Sequence, residues 1–184
     1  MVRSSLTPIA LPAVPSLALH AATKSYCDGL DPFNLVGADD CFARYESGSA
    51  QTCANTSNVV VAHGTASETH ALITQSTNGA GHKYTFNATG IYAVCAQARF
   101  LGGGSAGERF HSIDSSMYAG GGLAYWSTYT NGSTPITMGV HLVSRFTSGS
   151  YVTCVVYQNS GGNLDLEGNV AWKNICIALI RKCS

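Results

Sequence analysis

Hydrophobic and polar residues alternate at period two over most of the chain, from about residue 41 to its end. The clearest case is residues 83–100, where two alternating segments are separated by turn-forming residues at 87–90. Because successive side chains of a strand point to opposite faces, this stretch predicts a β-hairpin whose second strand buries one face. The buried set is predicted to be Tyr92, Val94, Ala96, Ala98 and Phe100.

The same pattern predicts nine short strands, separated by Gly, Asn and Ser residues. They span residues 41–46, 59–62, 71–75, 83–87, 91–100, 109–114, 136–146, 151–158 and 175–181. No helical period accompanies them. Short strands with frequent turn signals are typical of a β-sandwich, so we predict an all-β domain at residues 41–184.

Residues 1–40 differ in character from the rest of the chain. Three prolines in the first fifteen residues impose extended geometry and interrupt the apolar opening, so we do not expect a signal peptide. Residues 16–30 then predict a short helix, with Ser16 as its N-cap and Gly29 as its stop. A helix this short is marginal alone. We therefore predict an N-terminal arm, residues 1–40, that docks on another surface.

The arm also contains a recognisable motif, in the stretch LPAVPSLALHAATKSYCDG. It resembles the anchoring motif at the start of tailed-phage virion proteins, in which a proline-containing lead precedes an LHAATK core, an aromatic residue and Asp. Cys27 departs from the motif, where an aliphatic residue is more usual. The resemblance implies attachment to a larger virion protein of the capsid or tail. The anchoring residues would be Leu19, His20, Ala21, Ala22, Thr23, Lys24 and Tyr26.

The TGIY turn at residues 89–92 resembles the central hairpin of the tumour necrosis factor and complement-type jelly rolls. The order of features across residues 41–184 is similar too, from an AQTCANTSNVVVA segment before the hairpin to a terminal ICIALIRK strand. The resemblance implies a jelly-roll sandwich in which the aromatic residue of this turn packs between two sheets. It also implies a homotrimer, with the terminal strand in the inner sheet packed on neighbouring subunits.

The terminal strand is apolar on both faces, whereas a strand with one face in water should alternate apolar and polar residues. Ile175, Ile177 and Leu179 alternate with Cys176, Ala178 and Ile180, so we expect the second face to be covered as well. Neighbouring subunits or the N-terminal arm could cover it. The candidate trimer interface consists of Ile136, Met138, His141, Ile175, Cys176, Ala178 and Ile180.

Aromatic residues are concentrated at residues 117–133, among Gly, Ser, Thr and Asn. We predict a loop there that presents Tyr118, Tyr125, Trp126 and Tyr129 to a host-surface glycan or protein, because rigid rings give contact area at little entropic cost. Alternatively, Tyr125 and Trp126 cap the edge of the sandwich.

Charge and motifs exclude several other functions. The net charge is zero and charged residues are only 11% of the chain, which shows no footprint for nucleic acid. No apolar run reaches the roughly 20 residues that span a bilayer, so we expect no membrane insertion. The chain carries no nucleophile elbow, P-loop, zinc-binding helix motif or paired carboxylates. We predict a protein that is not an enzyme and has neither a cofactor nor a metal.

Histidine and cysteine leave two questions open. His63, His70 and His82 are predicted in or beside surface loops, whereas His141 lies mid-strand. Three copies of His141 could meet near a threefold axis and bind a metal or anion, but a hydrogen-bonded structural histidine is the simpler interpretation. The seven cysteines have no C-x-x-C spacing, so some could pair outside a cell and others could remain buried thiols.

Together these features predict a virion structural protein, a trimeric jelly-roll knob on the particle surface that is assembled in the host cytoplasm. The first interpretation is a capsid decoration or head-spike protein, because an arm this short leaves no room for a fibre shaft. The alternative is a minor tail or receptor-binding protein in host adsorption. A glycan-degrading enzyme is disfavoured by the lack of clustered acids, and a secreted cytokine-like ligand by the lack of a signal peptide.

Overall fold

The computed structural model describes residues 42–103, 105–117, 122–132 and 134–183. Every regular element in these ranges is a β-strand. The predicted N-terminal helix and all the predicted anchoring residues lie outside the described residues. The strands are β1 (Phe42–Glu46), β2 (Gln51–Cys53), β3 (Val59–Val60), β4 (Ala66–Glu68), β5 (Ile73–Asn78), β6 (Gly81–Phe86), β7 (Gly90–Phe100), β8 (Gly107–Ser115), β9 (Gly122–Thr130), β10 (Ile136–Phe146), β11 (Tyr151–Gln158), β12 (Leu164–Leu166) and β13 (Asn174–Lys182).

The strands form two antiparallel sheets. The first sheet has the order β2-β12-β7-β13-β1-β4, and β10 pairs with the other edge of β7. The second sheet has the order β5-β6-β11-β8-β9, with β3 also paired to β11. Strands distant in sequence are therefore neighbours in both sheets, as in a jelly roll.

The core lies between the sheets. The prediction that residues 83–100 form a β-hairpin is wrong, because β6 pairs with β5 and β11 in the second sheet while β7 pairs with β13 and β10 in the first. The turn between them crosses from one sheet to the other, so β6 and β7 line the core from opposite sides. Tyr92, Val94, Ala96, Ala98 and Phe100 are all buried, which confirms the predicted face of β7.

Tyr92 is fully buried in an aromatic cluster with Phe86 and Phe146. The Phe86 and Phe146 ring centroids are 4.2 Å apart, and those of Phe86 and Tyr92 are 4.5 Å apart. Tyr92 also donates its hydroxyl hydrogen to the Ala88 carbonyl oxygen at 2.8 Å, which holds the connection between β6 and β7 against the core.

Four strands were not predicted: β2, β4, β9 and β12. Three of them have only three residues, too few to show an alternation. β9 corrects the prediction of a loop at residues 117–133, because nine of those residues form a strand that pairs with β8. As an edge strand it buries no full face, so its alternation is weak although Tyr, Trp and Thr favour strands.

Candidate functional site

The side of the first sheet that faces away from the second carries small and apolar residues in register across four strands. Phe42 of β1 lies opposite Ala178 of β13, Ala178 opposite Ala93 of β7, and Ala93 opposite Val143 of β10. Phe42, Ala93 and Ala178 are half-buried, and Val143 is 64% exposed. We name this row, together with Cys95 and Cys176 beside it, the apolar face.

The cysteines of the apolar face are free thiols on adjacent strands. Cys95 pairs with Cys176 on one side and with His141 on the other. Burial raises the pKa of the Cys176 thiol, and Arg44, which pairs with it across the sheet, opposes that shift.

The hydrogen-bond pattern explains why two facing cysteines remain thiols. Arg99 accepts a backbone hydrogen bond from Glu167 and Leu101 donates one to Asp165, so odd-numbered residues of β7 bond toward that side of the strand. Cys95 and Cys176 therefore form a hydrogen-bonded pair, in which the side chains are farther apart than in the alternate pairs. A disulfide needs β-carbons about 4 Å apart, which this pairing disfavours.

Charged residues border the apolar face at both ends. Arg44 and Glu46 form an ion pair at 3.0 Å, and Arg99 pairs with Glu167 at 3.2 Å. At the other end Arg145 and Arg181 lie on either side of Ile91. An apolar centre with a polar rim is the usual anatomy of a protein interface.

The residues predicted for the trimer interface divide between the two sides of the first sheet. Cys176, Ala178 and His141 lie on the outward side, and Ile180 lies in a β-bulge with 38% exposure. Met138 and Ile175 are fully buried in the core, and Ile136 packs against it. We correct the prediction for Met138 and Ile175, because side chains between the sheets of one chain cannot contact another; Ile136 is half-buried and stays a prediction.

The aromatic residues of β9 are exposed at the edge of the second sheet but do not form one surface. Tyr125 and Tyr129 are 68% and 71% exposed, on the same face as Phe110, whose ring stacks on Tyr125 at 5.7 Å. Trp126 pairs with His111, so it points to the opposite face of the strand. We name Phe110, Tyr125 and Tyr129 the aromatic strip. Tyr118 lies outside the described residues.

A set of basic side chains inside the sandwich was missed by the sequence analysis. His63, His111, Arg109 and Lys173 are at most 2% exposed. His63 was predicted at the surface, and its position two residues beyond the buried Val61 was the signal that could have placed it inside. Burial lowers the pKa of His111 to about 4. Burial and the positive charges of His111, Lys173 and His82 hold the pKa of His63 well below its usual value.

Two features that would indicate particular functions are absent from the described ranges. No cluster of three or more His, Cys, Asp or Glu side chains there is arranged to hold a metal ion. No helix in the same ranges has the length and hydrophobicity to cross a membrane.

Comparison with known proteins identifies the fold. No protein-family model and no curated protein matches the chain. The globular domain of zebrafish complement 1qA protein is similar at 12% identity and a TM-score of 0.55, over 78% of this chain and 100% of that one. Murine APRIL is similar at 10% identity and a TM-score of 0.51, over 76% and 98%. Eiger TNF from S. frugiperda has a TM-score of 0.49 at 11% identity, over 78% and 94%. The two similarities with a TM-score above 0.5, together with the two antiparallel sheets, show that the chain folds as a jelly roll of the tumour necrosis factor and complement type.

Proposed function

We propose that the chain is a non-enzymatic structural protein of a tailed-phage virion. In this proposal three copies form a jelly-roll knob that decorates the capsid, and the N-terminal arm attaches the knob to a larger virion protein. Two features support it: the LHAATK-type motif at residues 19–24 and the apolar face of the described domain.

The apolar face is the observation that carries the proposal. A sheet face in contact with water normally presents polar side chains, whereas here four strands present Phe, Ala, Ala and Val in one row. Small side chains let the backbone of a second copy approach closely, and the charged residues at the border would fix the orientation of that copy. A second copy of this chain is therefore the occupant we propose, arranged as a trimer like the family that the sequence resembles.

A charge placed in the apolar face tests the assembly. Ala178→Arg should convert the trimer to a monomer that is still folded, because an arginine buried without a partner is costly while the outward side of one chain tolerates it. The measurement is mass in solution by light scattering, with circular dichroism to verify folding.

Ser127→Arg is the matched control, because Ser127 is exposed on β9 of the second sheet. It should leave the mass at three times that of one chain. A wild-type protein that is monomeric at every concentration, or an Ala178→Arg variant that remains trimeric, would refute the proposed interface.

The aromatic strip favours a second candidate function, a minor tail protein that binds the host surface. Tyr125 and Tyr129 are more than two-thirds exposed, and Phe110 stacks beside them. Exposed rings in a row suit stacking against the apolar faces of sugar rings, and three copies would add avidity.

Substitution of the strip tests this candidate. The double variant Tyr125→Ala/Tyr129→Ala should fold and assemble normally but reduce particle attachment to host cells at least tenfold. Trp126→Ala, which alters the other face of the same strand, should attach as wild type does. Equal attachment by the double variant would reject the aromatic strip as a binding site.

A further inference from the structure

Two thiols of the apolar face lie directly opposite each other on adjacent strands. Cys95 of β7 pairs with Cys176 of β13, within an antiparallel register that is continuous over residues 174–179. Both side chains point away from the core, because the neighbours of each along its own strand are buried. Cys95 is exposed and Cys176 is half-buried, and both are free thiols. Two sulfur ligands therefore sit side by side on the outward side of a central part of the sheet.

The type of strand pair sets the distance between the two side chains. Cys95 and Cys176 form a hydrogen-bonded antiparallel pair, in which the α-carbons are about 5.5 Å apart and the β-carbons about as far. A disulfide needs β-carbons about 3.8 Å apart. A metal ion between two sulfurs needs more room, because each metal–thiolate bond is about 2.3 Å long and two bonds in line place the sulfurs about 4.6 Å apart. The pair is therefore spaced better for a bridging ion than for a disulfide.

A positive charge lies beside the pair. Arg44 of β1 is the next residue of the same cross-strand row, on the side of Cys176 away from Cys95. Burial raises the pKa of the Cys176 thiol, and of the nearby charged groups Arg44 opposes this rise whereas Glu46 and Glu68 add to it. Two thiolates on a monovalent ion carry a net charge of −1, which the guanidinium of Arg44 would partly balance.

The ligand set decides which metal suits the pair. Thiolates select soft ions such as monovalent copper, whereas structural zinc almost always takes four ligands. His141 pairs with Cys95 across the strand edge that faces away from Cys176. Among the residues that the structure describes, no third His, Cys, Asp or Glu side chain completes a metal-binding group with the two thiols. Two sulfurs suit the linear coordination that monovalent copper accepts.

We propose that Cys95 and Cys176 bind one monovalent copper ion on the outward side of the first sheet. The two thiols release two protons, each sulfur donates an electron pair to the ion, and no electron is transferred. The sequence predicted no metal because its cysteines lack the C-x-x-C spacing, whereas strand pairing brings together two that are far apart in the chain. The site is complete within one chain and does not rest on the proposed virion function.

A copper titration of the full, reduced chain tests the site. Copper(I) is added without oxygen as its coloured complex with bathocuproine disulfonate, whose loss of colour measures the copper that the protein removes. Cys95→Ser and Cys176→Ser should each reduce the tightly bound copper by one ion per chain, because one thiolate alone cannot bridge. The same loss is expected from a monomer and from a trimer, so the result is independent of the proposed assembly, and circular dichroism verifies folding.

Cys183→Ser is the matched control, because Cys183 is another half-buried free thiol and lies beyond the end of β13. It should bind as much copper as the wild type. Where a serine variant does not fold, alkylation of the wild-type protein by iodoacetamide, located by peptide mass spectrometry, measures protection directly. Copper should protect both Cys95 and Cys176. Copper binding that neither serine variant reduces, or equal alkylation of the pair with and without copper, would overturn the site.

Discussion

Individual side chains were predictable where alternation along one strand decided the outcome. The Tyr92 set of β7 was placed correctly because its period is unbroken over the whole strand. On β10 the same rule puts Ile136 and Met138 on the face opposite to His141, so grouping all three in one interface contradicted the period. His63 could not be placed by its type, because a buried imidazole depends on partners such as Tyr84 that sequence does not reveal.

Burial of His111 makes a specific prediction about acid stability. Its folded pKa is about 4 against an ordinary value of 6.5, so the unfolded chain binds the proton more readily. The stabilising contribution of the neutral ring is complete above pH 6.5 and is lost as pH falls toward 4. The loss for this residue is about 3 kcal/mol of the free energy of unfolding. Urea unfolding between pH 7 and pH 4 measures it.

Two variants isolate that contribution. His111→Gln should reduce the slope between pH 6.5 and pH 4, because glutamine does not titrate, and the remaining slope comes from His63, whose pKa burial also holds well below its usual value. His141→Gln should keep the wild-type slope, since His141 is exposed on the outward side of β10. If His111→Gln has the same pH profile as the wild type, another group causes the acid sensitivity.

The strands were predictable in proportion to how much of each is buried. The nine predicted strands all exist, and the largest errors concern short strands and the edge strand β9. The pairing partners of the strands could not be predicted from the sequence pattern. β1 pairs with β13, the last strand of the domain, and only the resemblance to jelly rolls implied such an order. The close contact between β3 and β6 was likewise not visible in the pattern.

That contact is maintained by Gly81 at the start of β6. A β-carbon there would clash with the Val60 carbonyl group, whose carbon would be 2.6 Å away. Gly81→Ala should therefore push β3 away and reduce the free energy of unfolding by about 2 kcal/mol. Gly139→Ala on β10 is the control, since a β-carbon added there would have no atom within 4 Å beyond its chain neighbours. Equal stability of the two variants in urea unfolding would show that β3 moves freely.

For the protein as a whole, the sequence predicted the fold more fully than it predicted the assembly. The TGIY turn indicated a jelly roll through its resemblance to the tumour necrosis factor and complement-type domains, and Tyr92 is buried as that resemblance implied, although the two strands beside the turn do not pair with each other. The apolar face proposed as the interface was only partly visible in the sequence: the doubly apolar β13 pointed to a covered face, but the row that it shares with Phe42, Ala93 and Val143 depends on strand pairing.

The most direct test of a trimeric virion knob is cryo-electron microscopy of purified particles from cells that produce the protein. We predict knobs of three jelly rolls on the capsid surface, with the apolar faces of the three copies turned toward one another. Particles that lack the protein, or that carry it as isolated single domains with the apolar face exposed to solvent, would contradict this function.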